Sequence, residues 1–229
     1  GLRDTGYTFY TAVADVVDNS IAANATVVDI QLQKNADNKL NLYIADNGCG
    51  MDAEGVENAM TYGSRKRDTV HSLGKFGLGL KTASTAFCRS LSLLSKTESS
   101  EYAKATWDLD HVAQVGDWEL LEGDPSEDEI DRLEDVTNGG HGTLVIWDKI
   151  DRLLNKDYRN FNQAFSTLEK NLSFHLSMVF QRFLDSSYED ARNVEIYLNG
   201  NLLKPWDPFC LREARKNEDG EIDKQGTIL

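Results

Sequence analysis

Apolar residues along this chain first recur at helical spacing. Over residues 8–24, Ala12, Val13, Val16, Val17 and Ile21 return every three or four positions, which predicts an amphipathic helix. The period then drops to two. Val28, Ile30 and Leu32 alternate with polar residues from Thr26 to Gln33, and Leu40, Leu42 and Ile44 do the same from Lys39 to Ala45. Between these two strands, Lys34-Asn35-Ala36-Asp37-Asn38 has the composition of a hairpin turn. The loop Asp46-Asn47-Gly48-Cys49-Gly50 leads into a short helix near 52–61. Residues 61–75 show no periodicity and are rich in Gly, Ser, Arg and Lys, the composition of a mobile segment rather than a core element. A helix near 79–87 follows, then strands near 89–97, 101–108, 117–121 and 142–148. A long amphipathic helix over about 160–184, a strand over Val194 to Leu198 and the turn Asn199-Gly200-Asn201 complete the pattern, ahead of a highly charged tail from Arg212. Helices followed by a run of adjacent strands predict an α+β layered fold, not a strictly alternating βαβ one. The chain has no internal repeat.

Composition narrows the class. The 229 residues suit one domain, or one with a small appendage, and 40% hydrophobic with 27% charged residues is ordinary for a globular chain. No apolar run approaches the roughly 18 residues of a membrane span. The start, Gly1-Leu2-Arg3-Asp4, lacks an initiator Met and an apolar leader and reads as an excised piece. The net charge of −14 argues against gripping nucleic acid, because phosphate contacts need clustered Lys and Arg. Residues 117–135 hold ten acids and one base, Arg132, and so contribute −9 of that charge. This run reads as a solvated acidic loop, since the calcium-loop pattern is missing. Cys49, Cys88 and Cys210 are far apart, and His71, His111, His141 and His175 show no metal spacing, so neither a disulfide framework nor a zinc site is expected. A reducing cytoplasm is then the default compartment.

Several residues carry candidate chemistry. No G-x-x-x-x-G-K-[ST] loop is present. Gly48-Cys49-Gly50-Met51-Asp52-Ala53 matches the dinucleotide pattern G-x-G-x-x-A, with Asp68 the right distance on. That acid should end a second hydrophobic strand, yet Thr61 to Arg67 is polar and basic, so the match fails on context. Asp15 and Asn19 stand one helical turn apart on one face, where a carboxylate and an amide hold a hydrated Mg²⁺ or orient a water, unless the face is merely solvated. Asp18 lies off that line. Asp46 ends an apolar strand ahead of two glycines, placed to accept from an exocyclic amine while the glycines admit a base. Gly74-Lys75-Phe76-Gly77-Leu78-Gly79-Leu80-Lys81-Thr82 is a glycine-rich turn feeding a helix, an anion cradle by its backbone N–H groups.

In order and spacing these stretches resemble the boxes of the GHKL ATPase superfamily, which includes gyrase B, the ninety-kilodalton heat-shock chaperones, histidine kinases, MutL and the microrchidia proteins. Val13 to Ala23 is similar to the first box, whose Asn, here Asn19, is the Mg²⁺ ligand. Asp46-Asn47-Gly48-Cys49-Gly50-Met51 resembles the D-x-G-x-G box, whose Asp binds the adenine amine. Gly74 to Thr82 resembles the box that wraps the triphosphate, and Gly142-Thr143 the later Gly-Thr box beside adenine. Tyr62-Gly63-Ser64 with the glycine box reads most like the microrchidia and chaperone branches.

The resemblance implies a Bergerat-type two-layer sandwich, a mixed sheet with helices on one face and a mobile ATP lid. It places an ATP-binding domain over 1–190, with the lid at about 61–80, and leaves 191–229 as a C-terminal extension that could begin a further domain. The implied ligands are ATP and Mg²⁺. The implied site is Asn19, Asp46, Gly48, Gly50, Met51, Gly74, Lys75, Phe76, Gly77, Leu78, Gly79, Lys81 and Thr143, with Lys75 and Lys81 countering phosphate charge better than Arg65, Lys66 and Arg67. One position departs from the family pattern: the residue four before the Mg²⁺ Asn, usually a Glu general base, is Asp15. A shorter arm has less hydrogen-bond reach. The expected function is therefore ATP binding with slow hydrolysis, driving lid closure and homodimerisation in a larger protein. A nucleotide-binding module without turnover and a histidine-kinase-like catalytic domain stand as alternatives.

Overall fold

The computed structural model describes residues 3–4, 6–61, 79–154, 159–187 and 192–207. The first periodic segment is helix α1 (Phe9–Ala22), capped by a reciprocal pair in which Thr8 accepts from the Thr11 N–H and Thr11 from the Thr8 N–H. Its Val13, Val16, Val17 and Ile21 are buried. Strands β1 (Val27–Lys34) and β2 (Leu40–Asp46) pair antiparallel, with Ile30 opposite Ile44 and Leu32 opposite Leu42. Helices α2 (Ala53–Met60) and α3 (Gly79–Thr85) precede β3 (Cys88–Lys96), β4 (Ala103–Asp108), α4 (Leu109–Val115), β5 (Leu121–Glu122), α5 (Glu127–Thr137) and β6 (Gly142–Ile150). Helices α6 (Phe161–Val179) and α7 (Gln181–Leu184), then β7 (Glu195–Leu198) and β8 (Asn201–Leu202), close the order.

The strands form one mixed sheet in the order β5-β4-β3-β6-β2-β1-β7-β8, antiparallel throughout except for β1 against β7. Because strand side chains alternate, each strand feeds two faces. Ile30, Leu42, Ile44, Leu91, Leu93, Trp107, Val145 and Trp147 share the main core with α1, α2, α3 and α6, which contribute Val13, Met60, Ala83 and Leu172. The intervening Ala45, Leu94, Leu144 and Ile146 point the other way and pack with Leu133 of α5.

One expectation changes here. The acidic run is not a loop throughout: eleven of its residues and near neighbours form α5, which covers the second face of β2 and β6. Ser126 and Glu129 cap it reciprocally, and Glu127, Asp128 and Glu129 occupy the first turn, where the helix dipole favours negative charge. Helices therefore lie on both faces, most of them on one. At the far end of the sheet β7 hydrogen-bonds β1 and buries Ile196 and Leu198. No helix among the described residues is long and apolar enough to cross a membrane.

Candidate functional site

The second half of α1, the end of β2, the start of β6 and the start of α3 meet at one place. Asp46 is the last residue of β2 and only 4% exposed. Its Oδ2 accepts from the Ser20 hydroxyl at 2.7 Å and its Oδ1 from the Gly48 N–H at 2.8 Å. Burial pushes its carboxyl above the usual range, opposed by those two donors and by the Thr143 N–H. Its register partner on β6 is Thr143, also buried.

Thr143 belongs to a second knot centred on Ser95, which is fully buried on β3. The Ser95 Oγ accepts from the Met51 N–H, donates to the Gly142 carbonyl and meets Thr143 Oγ1, each at 2.8 Å. With its one proton on Gly142, Ser95 leaves Thr143 to donate to it. His141 Nδ1 donates to the Gly48 carbonyl. The Asp46 loop is thereby tied to β3 and β6 on both sides.

The glycines have a structural use as well. Gly50 has φ +66°, and a Cβ there would stand 1.9 Å from the Lys96 carbonyl oxygen; at Gly142 it would stand 2.1 Å from that of Asp46. A Cβ at Gly48 would meet Ala23 and the Asp46 carboxylate at 2.9 Å. These positions are glycine because the protein's own backbone fills the space, whatever room they also leave for a ligand.

On α1, Asp15 is half-buried and its Oδ2 accepts from the Tyr7 hydroxyl at 2.7 Å. A Cβ on Gly79, first residue of α3, would lie 3.7 Å from that same oxygen. One turn on, exposed Asn19 donates its Nδ2 to the Asp15 carbonyl at 2.9 Å, which leaves the amide oxygen as its atom for a cation. Asp18 has its carboxyl pushed up, first by burial and then by the Asp15 charge.

Lys81 is placed unexpectedly. It is fully buried, and its ammonium donates to the Ala59 and Thr61 carbonyls at 2.8 and 2.9 Å. Trp107 Nε1 takes the carbonyl between them, Met60, at 2.7 Å. Three consecutive carbonyls at the C-terminal end of α2 are thus held by α3 and β4. Gly74, Lys75, Phe76, Gly77 and Leu78, with most of the expected lid and Arg65 to Arg67, lie outside the described residues.

The structure brings Asp15, Asn19, Asp46, Gly48, Gly50, Met51, Gly79 and Thr143 to one locality and turns the Lys81 ammonium toward α2. Sequence reasoning missed Tyr7, Ser20, Ser95 and His141. Ser95 left a trace, as Ser90, Ser92 and Ser95 are small polar positions set among Leu91, Leu93 and Leu94.

The chain is similar to parts of several known proteins. The ATPase MORC2B of Mus musculus is 34% identical over 95 residues, and the ATPase MORC2 of Homo sapiens 30% over 95 residues. Each match takes in 40% of this chain and spans 9% of the relative's length. Among solved structures, the N-terminal domain of a DNA repair protein superposes with a TM-score of 0.47 at 18% identity, over 82% of this chain and 47% of the other. The ATPase and transducer domains of DNA topoisomerase II from Balamuthia mandrillaris give 0.49 at 13% identity, over 86% of this chain and 48% of theirs. Residues 7–143, more than half of the chain, match the family described as histidine kinase-, DNA gyrase B-, and HSP90-like ATPase, and the chain belongs to that family.

Proposed function

We propose that this domain binds ATP with Mg²⁺ beside α1 and the end of β2, and hydrolyses it slowly. The observation that carries this reading is the linked cluster Asp15–Asn19–Ser20–Asp46–Thr143, in which a helix face, a strand end and a partner strand share one hydrogen-bonded locality. Asp46 accepts from the adenine amine, with Thr143 beside it. Asn19 supplies an oxygen to Mg²⁺. Mg²⁺ keeps several waters and leans on substrate phosphates, so one protein oxygen is a fitting share of its coordination. When bound, the ion neutralises charge on the phosphates.

Gly74 to Gly79 cradle the phosphates in this reading, on the strength of their sequence. Asp15 takes a proton from water as the water oxygen attacks the γ-phosphorus. The bond to the β–γ bridging oxygen breaks, ADP leaves, and the proton passes to phosphate or solvent. Closure of the 61–80 segment and homodimerisation in a longer protein extend the proposal, with family membership as their support.

ATP titration with phosphate-release kinetics tests it. Saturable, Mg²⁺-dependent binding with slow release is expected. Asp15→Asn should cut release by at least about 100-fold while ATP affinity stays within about twofold. Tight binding with no release from the wild-type chain would leave the second reading, a nucleotide-binding module without turnover, which the short arm of Asp15 favours.

A further inference from the structure

Asp15 is not left to its own rotamers. Tyr7 sits just before the capped start of α1, partly buried against the main core, and its hydroxyl reaches Asp15, eight residues further on. The contact is a 2.7 Å hydrogen bond from the hydroxyl to Oδ2. The same oxygen lies beside the first residue of α3, 3.7 Å from where a Cβ on Gly79 would stand. The Asn19 amide is bonded to the Asp15 carbonyl, so the backbone of this turn is tied as well.

We infer that Tyr7 is a positioning residue for the Asp15 carboxylate, committing Oδ2 so that Oδ1 is the oxygen presented to the attacking water. This rests on the proposed role of Asp15 as general base. The chemistry supplies a reason for such a device. A carboxylate one methylene shorter than Glu must be aimed more strictly to reach the same water, and small misplacements of a base are costly in rate. Tyr7 can serve as a lasting donor: its own hydroxyl is pushed above its ordinary value, first by the bond to Asp15 and then by burial, so it stays protonated at neutral pH. A phenol donor from a ring packed against the core is also stiffer than a serine or lysine in that place.

The test is Tyr7→Phe, which keeps the ring and deletes the hydroxyl. Turnover should fall about tenfold, with KM for ATP and the melting temperature nearly unchanged. In an Asp15→Asn background the same change should have no further effect on the residual rate, because the two residues act as one unit. A readout independent of turnover is the titration of the Tyr7 ring carbon that bears oxygen, followed by NMR. Asp15→Asn should move its midpoint down toward that of an ordinary tyrosine. If Tyr7→Phe turns over like wild type while Asp15→Asn does not, the positioning role is overturned and the base stands. If Asp15→Asn retains turnover, both fall. A Tyr7→Phe chain that loses ATP affinity or melts early makes Tyr7 a structural anchor, and a Tyr7 midpoint indifferent to Asp15→Asn removes the contact itself.

Discussion

At the scale of single residues, the site is made of groups whose demands pull against stability. Asp46 shows this most directly. Its carboxylate is buried beside apolar strands, and three donors offset only part of the burial that raises its pKa. An acid with its folded pKa above its unfolded one contributes stability that is present below the unfolded pKa and lost as pH rises through the folded value. Asp46→Asn should therefore stabilise the domain at neutral pH. The amide keeps two of the three partners, its oxygen accepting from Gly48 and its nitrogen donating to Ser20, whose hydroxyl already reaches toward the Val16 carbonyl. ATP affinity should fall at least about tenfold, as a neutral amide accepts more weakly than a carboxylate. Urea unfolding of both chains between pH 4 and 7 checks it: the advantage of the variant should widen as pH rises. A constant gap would mean Asp46 titrates alike in both states. Asp46 was legible in the sequence because a lone acid ending an apolar strand before Gly is a local signal. Ser95 was not, because its partners Met51 and Gly142 lie 44 and 47 positions away and meet it only through the tertiary fold.

At the scale of elements, most of the fold follows from period alone. The two hairpin strands, the helix at 9–22 and the long helix at 161–179 came from alternation and helical spacing, which survive tertiary context when a segment is half-buried. The acidic run failed for an instructive reason. Charge density outweighed a capping box, Ser126-x-x-Glu129, and an apolar stripe, Ile130, Leu133 and Val136, that together spell a helix lying on something. The charges also have partners: Glu129 with Lys104, Asp128 with Arg132, and Glu134 with the Tyr102 hydroxyl, while the Arg132 guanidinium stacks on Tyr43 at 4.0 Å. The apolar contact should outweigh the Asp128–Arg132 pair, whose carboxylate is exposed, since surface ion pairs contribute little. Leu133, 1% exposed under α5, is the test. Leu133→Ala should cost about 2–5 kcal/mol in denaturant unfolding, and Asp131→Ala, on the solvent side, less than about 0.5. Equal small losses would return the segment to a solvated strap.

At the scale of the whole molecule, the site holds together only if α1, α3 and the sheet keep a fixed relation, and Lys81 is the buried link between α3 and α2. The sequence placed it near phosphates because it follows the glycine box. The inward turn of the side chain onto the Ala59 and Thr61 carbonyls is a tertiary contact with no local signature. Burial draws its pKa down from an ordinary 10.5 to about 8. The folded chain thus releases this proton more readily than the unfolded one. Below pH 8 both states are protonated at Lys81 and folding bears the full cost of burying the charge. Between about 8 and 10.5 the unfolded chain holds the extra proton, so stability attributable to this group rises with pH. Lys81→Met removes the titration and leaves two carbonyls without their donor, a loss that does not depend on pH. The difference in unfolding free energy, wild type minus Lys81→Met, should therefore grow from pH 7 to pH 10 at constant ionic strength, whatever its sign at the start. Other groups titrate identically in both chains and cancel. A difference flat across that range would place the Lys81 ammonium in solvent and leave the α2–α3 link to packing alone.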